Sequence, residues 1–158
     1  GCSNLEFDVA NLRNITNAAQ NAFSGCYKVY GVLDLPNLET IGNSAFGGIL
    51  LSKVVNLGKI TTLPDLAFDE LHSTEKTLTE VRLPSTLTTL STAFRRCSNL
   101  ATVICEAITP PTLSGGTFGD TSKAIIYVPD ESVEAYKTAT NLSTYASRIK
   151  GISELPTT

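Results

Sequence analysis

The apolar residues of this chain recur with a long period that neither a single helix nor a single strand explains. Phe23, Phe46, Phe68, Phe94 and Phe118 follow one another at steps of 23, 22, 26 and 24 residues. Alanine precedes the first four (Ala22, Ala45, Ala67, Ala93), and Thr117 precedes the fifth. Three residues beyond each phenylalanine stands a small or apolar residue: Cys26, Ile49, Leu71, Cys97 or Thr121. Upstream lie matching apolar triplets, Val9-Leu12-Ile15, Leu35-Leu38-Ile41, Leu57-Ile60-Leu63 and Leu83-Leu87-Leu90. A repeat of roughly 20 to 50 residues marks units that bury their apolar faces only against their neighbours, so the chain is expected to stack into a solenoid.

The clearest unit, Leu78 to Leu100, predicts the elements of one coil. Near-alternation over Leu78-x-x-Val81-x-Leu83 reads as a short strand, with Val81 and Leu83 inward and Glu80 and Arg82 outward. Pro84 closes it, and Pro36 and Pro129 stand at equivalent places, where a missing backbone donor is tolerated because the chain turns. Leu87 to Leu90 makes a second extended piece. Ser91 to Cys97 reads as one to two helical turns, because Phe94 and Cys97, three apart, would share an inward face.

Other coils depart from this pattern. Gly1-Cys-Ser-Asn-Leu5 matches Arg96-Cys-Ser-Asn-Leu100, which places residue 1 at a junction between coils and leads us to expect further repeats upstream. In the first coil Ile15 stands eight residues before its phenylalanine, where Ile41 stands five before its own, so Thr16 to Ala22 is expected to lengthen the helix by a turn. Gly31 and Gly47-Gly48 offer positive φ in the second coil. The third coil carries an insertion within Asp69 to Thr77. Later, Ile108-Thr-Pro-Pro-Thr-Leu113 replaces the second strand by a stiff extended piece. Ala124 to Pro129 is the last strand, with Ile126 and Val128 inward and Tyr127 outward. Asp130 then reads as an N-cap, and Val133, Tyr136, Ala139, Leu142, Tyr145 and Ile149 form an apolar stripe suited to covering the end of the stack. The organisation expected is one domain over 1–158, with repeats over 1–123, last strand and helical cap over 124–150, and a tail over 151–158.

Composition narrows the chemistry. A chain of 158 residues that is 42% hydrophobic is long enough to bury one continuous core. A net charge of −3 argues against a nucleic-acid surface, and no apolar run approaches the roughly 20 residues of a membrane helix. The one histidine, His72, sits in the inserted loop with Asp69, Glu70 and Glu75; without a second histidine or a dedicated spacing, solvation explains it better than metal ligation. No nucleophile and base are placed together, and Gly115-Gly116 lacks the lysine of a phosphate loop, so no enzyme, metal or cofactor is expected. Cys2, Cys26 and Cys97 share the position after the phenylalanine and Cys105 takes the strand position of Leu83. All four are expected as free thiols packed as small hydrophobes, the alternative being a Cys2–Cys26 bridge between adjacent coils in an oxidising compartment.

With its Leu-x-x-Val-x-Leu-Pro strand, its Ala-Phe pair and its Cys-Ser-Asn-Leu junction, the unit resembles the BspA-like leucine-rich repeats of bacterial, notably Bacteroidetes, surface proteins. The segments Ala107 to Leu113, Ile126 to Lys137 and Tyr145 to Ile152 are similar to the terminal cap of such arrays. The resemblance implies an α/β leucine-rich-repeat solenoid of short parallel β-strands and short helices, about five coils with a helical cap, in an exported or cell-surface adhesion or binding protein. A monomer is expected. It would present the outward sheet residues Asp34, Lys53, Arg82, Ile104 and Tyr127 to a protein or glycan partner. The alternative is a structural spacer with no ligand of its own.

Overall fold

The structure, a computed structural model, describes residues 2, 4–70 and 75–157. Seven parallel strands form one wall: β1 (Glu6–Asp8), β3 (Lys28–Asp34), β5 (Leu50–Asn56), β7 (Glu80–Leu83), β9 (Thr102–Cys105), β11 (Ile125–Val128) and β12 (Ile149–Gly151), in the order β1-β3-β5-β7-β9-β11-β12. Two-residue strands β2 (Asn17–Ala18), β4 (Thr40–Ile41), β6 (Thr62–Leu63), β8 (Thr89–Leu90) and β10 (Thr112–Leu113) form the second wall, as a β2-β4 ribbon and a β6-β8-β10 sheet. Registers follow the repeat. Val54, Val81, Val103, Ile126 and Ile149 align inward across the long wall, and Leu63, Leu90 and Leu113 across the short one.

The phenylalanine ladder is a literal stack. Successive rings from Phe23 to Phe118 lie 5.4 to 6.1 Å apart with planes within 13° of parallel. At each end an aromatic ring turns edge-on: Phe7 against Phe23 at 6.2 Å and Tyr145 against Phe118 at 5.5 Å. Phe46, Phe68, Phe94 and Phe118 are buried, as the period requires.

The expected helix at Ser91 to Cys97 is a turn. In the corresponding turns of the earlier coils the backbone donors are used across coils: the N–H of Phe23, Phe46 and Phe68 donates to the carbonyl of Ala45, Ala67 and Ala93, respectively. An N–H that bonds the next coil has no bond left for its own helix, so this side of the solenoid is built of turns. Asn21, Ser44, Leu66 and Gly116, each two residues before a phenylalanine, have φ between 54° and 82°, which interrupts any right-handed helix there. Among the described residues, regular helix is confined to α1 (Val133–Thr138) and short 3-10 turns, so the fold is an α/β repeat solenoid with most of its regular structure in strands.

The first coil also differs from expectation. Its extra residues form a 3-10 turn at Val9–Leu12, where Asp8 Oδ1 accepts from the Ala10 N–H at 2.8 Å. Thr16 to Ala22 does not lengthen a helix; Asn17–Ala18 pairs with Thr40–Ile41, so Ala18 and not Ile15 takes the wall position of Ile41. Gly31 (φ 123°) lies where β3 and β5 shift register, and a Cβ there would stand 2.7 Å from Asp8 Oδ1. That close approach lets the Val9–Leu12 turn pack on β3.

Cys2 and Cys26 are joined in a disulfide with Cα atoms 4.8 Å apart. This corrects the expectation of four free thiols: the shared position in adjacent coils, which explained the cysteines as packing residues, also brings two of them into bonding range. Cys97 and Cys105 are free and buried.

Beyond β11 the chain covers the last coil through side-chain bonds to its backbone. Ser132 Oγ donates to Ile108 O at 2.7 Å, Tyr136 Oη to Ala107 O at 2.6 Å and Asn141 Nδ2 to Leu113 O at 2.7 Å. The last of these stands where a sixth short strand would donate. Arg148 lies over the Tyr145 ring, 4.8 Å from its centroid, and Nη1 donates to Thr121 O. Asp130 does not cap a helix; its Oδ1 accepts from the Ser153 N–H at 3.1 Å. Of the residues read as a tail, Gly151 closes β12 and Ile152–Glu154 form a 3-10 turn.

Candidate binding surface

Strand geometry sets which side chains face away from the core. On β3 the outward residues are Lys28, Tyr30, Val32 and Asp34; register places Asp8 and Leu50 beside Tyr30, and Lys53 beside Val32. Glu80 follows Lys53 along the same row, and Arg82, Ile104, Tyr127 and Lys150 form the neighbouring one.

The five residues expected to present this face divide into two groups. Asp34, Lys53 and Arg82 stand outward, and each is committed to an ion pair: Arg13 with Asp34, Lys53 with Glu80 at 3.4 Å, and Arg82 with Glu106 at 2.6 Å. Partly exposed pairs of this kind contribute about 0 to 1 kcal/mol each, so their main effect is to neutralise the face charge by charge. Ile104 and Tyr127 are only 3% and 6% exposed, against the expectation that they are presented to a partner. Alternation placed them on the outer face correctly, but lateral packing along the row removes them from solvent. The set therefore does not form one exposed site.

The exposed apolar residues lie nearer the first coils. Tyr30 and Val32 are 45% and 43% exposed on one face of β3, while Tyr27 just before the strand and Leu5 just before β1 are also open. The alternation in Lys28-Val-Tyr-Gly-Val-Leu-Asp34 carried this signal, but reading β3 through its Gly31 obscured which residues faced out. Ile108, 58% exposed, stands apart beside shallow depressions of about 410 and 430 Å³ that meet at Pro110 and Thr112.

Reactive groups are withdrawn from solvent. Burial pushes the Cys97 and Cys105 thiols and the Tyr136 phenol well above their usual ranges, and Cys105 Sγ lies 3.3 Å from Tyr136 Oη in the cap interface. Thiols held neutral are poor nucleophiles. Of the acidic residues near the insertion, Asp69 makes a forked pair with Arg96, Nε–Oδ1 2.9 Å and Nη2–Oδ2 2.5 Å, which holds the guanidinium charged. Glu70 is turned inward, and His72 lies outside the described residues. Among the described residues no three His, Cys, Asp or Glu side chains are grouped to hold a metal ion, and no helix is long and apolar enough to cross a membrane.

A stacked parallel wall, a second wall of two-residue strands and an aromatic ladder define a leucine-rich-repeat solenoid. Residues 1–75 match the BspA type leucine-rich repeat region in six copies, which supports a BspA-like leucine-rich-repeat protein. No curated protein matches the sequence.

Proposed function

We propose that this chain is a non-catalytic binding module of an exported or cell-surface protein, a monomer that presents the outer face of its long sheet to a protein or glycan. The observation that carries this reading is the Tyr30–Val32 pair, apolar and open on a wall where Leu50, Val55 and Ile125 are half-buried and Ile104 and Tyr127 are covered. An aromatic ring beside an aliphatic one offers a desolvatable centre, and the ion pairs of Asp34 and Lys53 beside it supply a polar rim. The Cys2–Cys26 disulfide supports an oxidising compartment. Cell-surface adhesion and a bacterial, Bacteroidetes-type source are the readings that the resemblance suggests. The single domain over 1–158 is the corresponding proposal for organisation.

The pairwise cancellation of outward charges also favours a second reading, a spacer or array-terminating unit without a ligand. The two separate in a glycan and protein array probed with the chain and with a Tyr30→Ser/Val32→Ser variant. A partner lost in the variant supports the binding face. Binding that is unchanged in the variant moves the site elsewhere, and an array without partners favours the spacer.

A further inference from the structure

One buried acid lies outside this binding surface. Glu70 ends the third coil's turn and is only 2% exposed. Its Oε1 accepts from the N–H of Thr77 at 2.8 Å and of Leu78 at 3.2 Å, and its backbone carbonyl accepts from Lys76 Nζ. One side chain thereby ties the third coil to the residues that open the fourth, across the insertion. Its other oxygen, Oε2, is buried with no hydrogen-bond partner among the described residues.

A buried carboxylate oxygen without a partner is costly when charged and much less so as part of a neutral acid. The surrounding charges offset this only in part. Asp69, the adjacent acid, is engaged with Arg96; Cys97, buried nearby, is neutral; Lys76 is directed to the Glu70 carbonyl. We propose that Glu70 is a pH-sensitive latch whose ionisation loosens the junction between the third and fourth coils. Burial raises its affinity for a proton, opposed by the Leu78 and Thr77 N–H groups and by Lys76.

The sign follows from linkage. An acid that binds its proton more tightly folded than unfolded favours folding fully below the unfolded value, about 4.3 for glutamate. That contribution is lost as pH rises from there through the folded value. This is the opposite of ordinary acid denaturation. In functional terms the junction is tightest in an acidic medium and loosens toward neutrality.

The test uses the full chain in a His72→Gln background, so that the one histidine does not titrate, with and without Glu70→Gln. Glutamine keeps the carbonyl acceptor for Thr77 and Leu78 and stays neutral. Melting temperatures of the two chains should run together near pH 4 and diverge as pH rises, the Glu70 chain falling behind by roughly 3 to 5 °C per pKa unit of elevation. Hydrogen-exchange protection at the Thr77 and Leu78 amides should fall over the same range in the Glu70 chain alone. A pH-independent difference, or a Glu70 chain that gains on the variant with rising pH, overturns the proposal. If the glutamine variant does not fold, titration of the Glu70 carboxyl by carbon-13 NMR in the parent decides: a midpoint above the ordinary glutamate range upholds the latch, and one at or below it removes it.

Discussion

Phe68 lies inside the ring stack, 5.8 Å from Phe46 and 6.1 Å from Phe94, so its truncation leaves a void that stacked neighbours on both sides cannot easily fill. Phe68→Ala is expected to cost about 3 to 5 kcal/mol, measured by urea unfolding. Leu66, two residues earlier, shows how local strain coexists with this packing. Its φ of 60° is a conformation leucine pays for and glycine does not, and the side chain is only half-buried. Leu66→Gly should therefore stabilise by about 1 kcal/mol in the same assay. These two positions also mark how far the sequence is legible. The ladder could be read because phenylalanine spacing records stacking directly. The turn around Leu66 could not, because leucine has no preference for positive φ, and a Phe94-to-Cys97 spacing of three suits a helical turn and a β-turn equally.

At the scale of the element, legibility tracks the closeness of a coil to the regular unit. The β7 strand, with Val81 and Leu83 buried and Pro84 after it, follows from alternation alone. The first coil misleads because Ile15 and Ala18 both stand upstream of Phe23, and only the pairing of Ala18 with Ile41 decides between them. The candidate face misleads for a related reason: alternation assigns a side of the sheet, but exposure depends on neighbours 23 residues away, as Tyr127 beside Ile104 shows. The cap is an element whose attachment is mostly polar. Tyr136→Phe keeps the ring and removes the hydroxyl that donates to Ala107 O, and it should cost about 1 to 3 kcal/mol, since a buried carbonyl loses its partner. A melting curve of the variant at neutral pH measures it.

For the whole molecule, the first and last described coils are secured differently. Deleting residues 130–158 would strip β12 from β11 and uncover Phe118, and the truncated chain should associate in size-exclusion chromatography, whereas the full chain is expected to elute as a monomer. In the first coil the tie is covalent. Titration in denaturant without reductant should find two free thiols, and with reductant four. Reduction should also lower stability by about 3 to 4 kcal/mol on the loop-entropy estimate.

That bond changes how the chain carries load. Cys2 and Cys26 are 24 residues apart in sequence, yet a pull applied at residue 2 passes through sulfur directly into the second coil, and the backbone of the first coil bears none of it. Stretched from both ends under oxidising conditions, the molecule would unravel from its second coil onward with the first held as a closed loop. Reduction would release that loop and lengthen the fully extended chain by on the order of 80 Å, a step that a single-molecule force trace resolves.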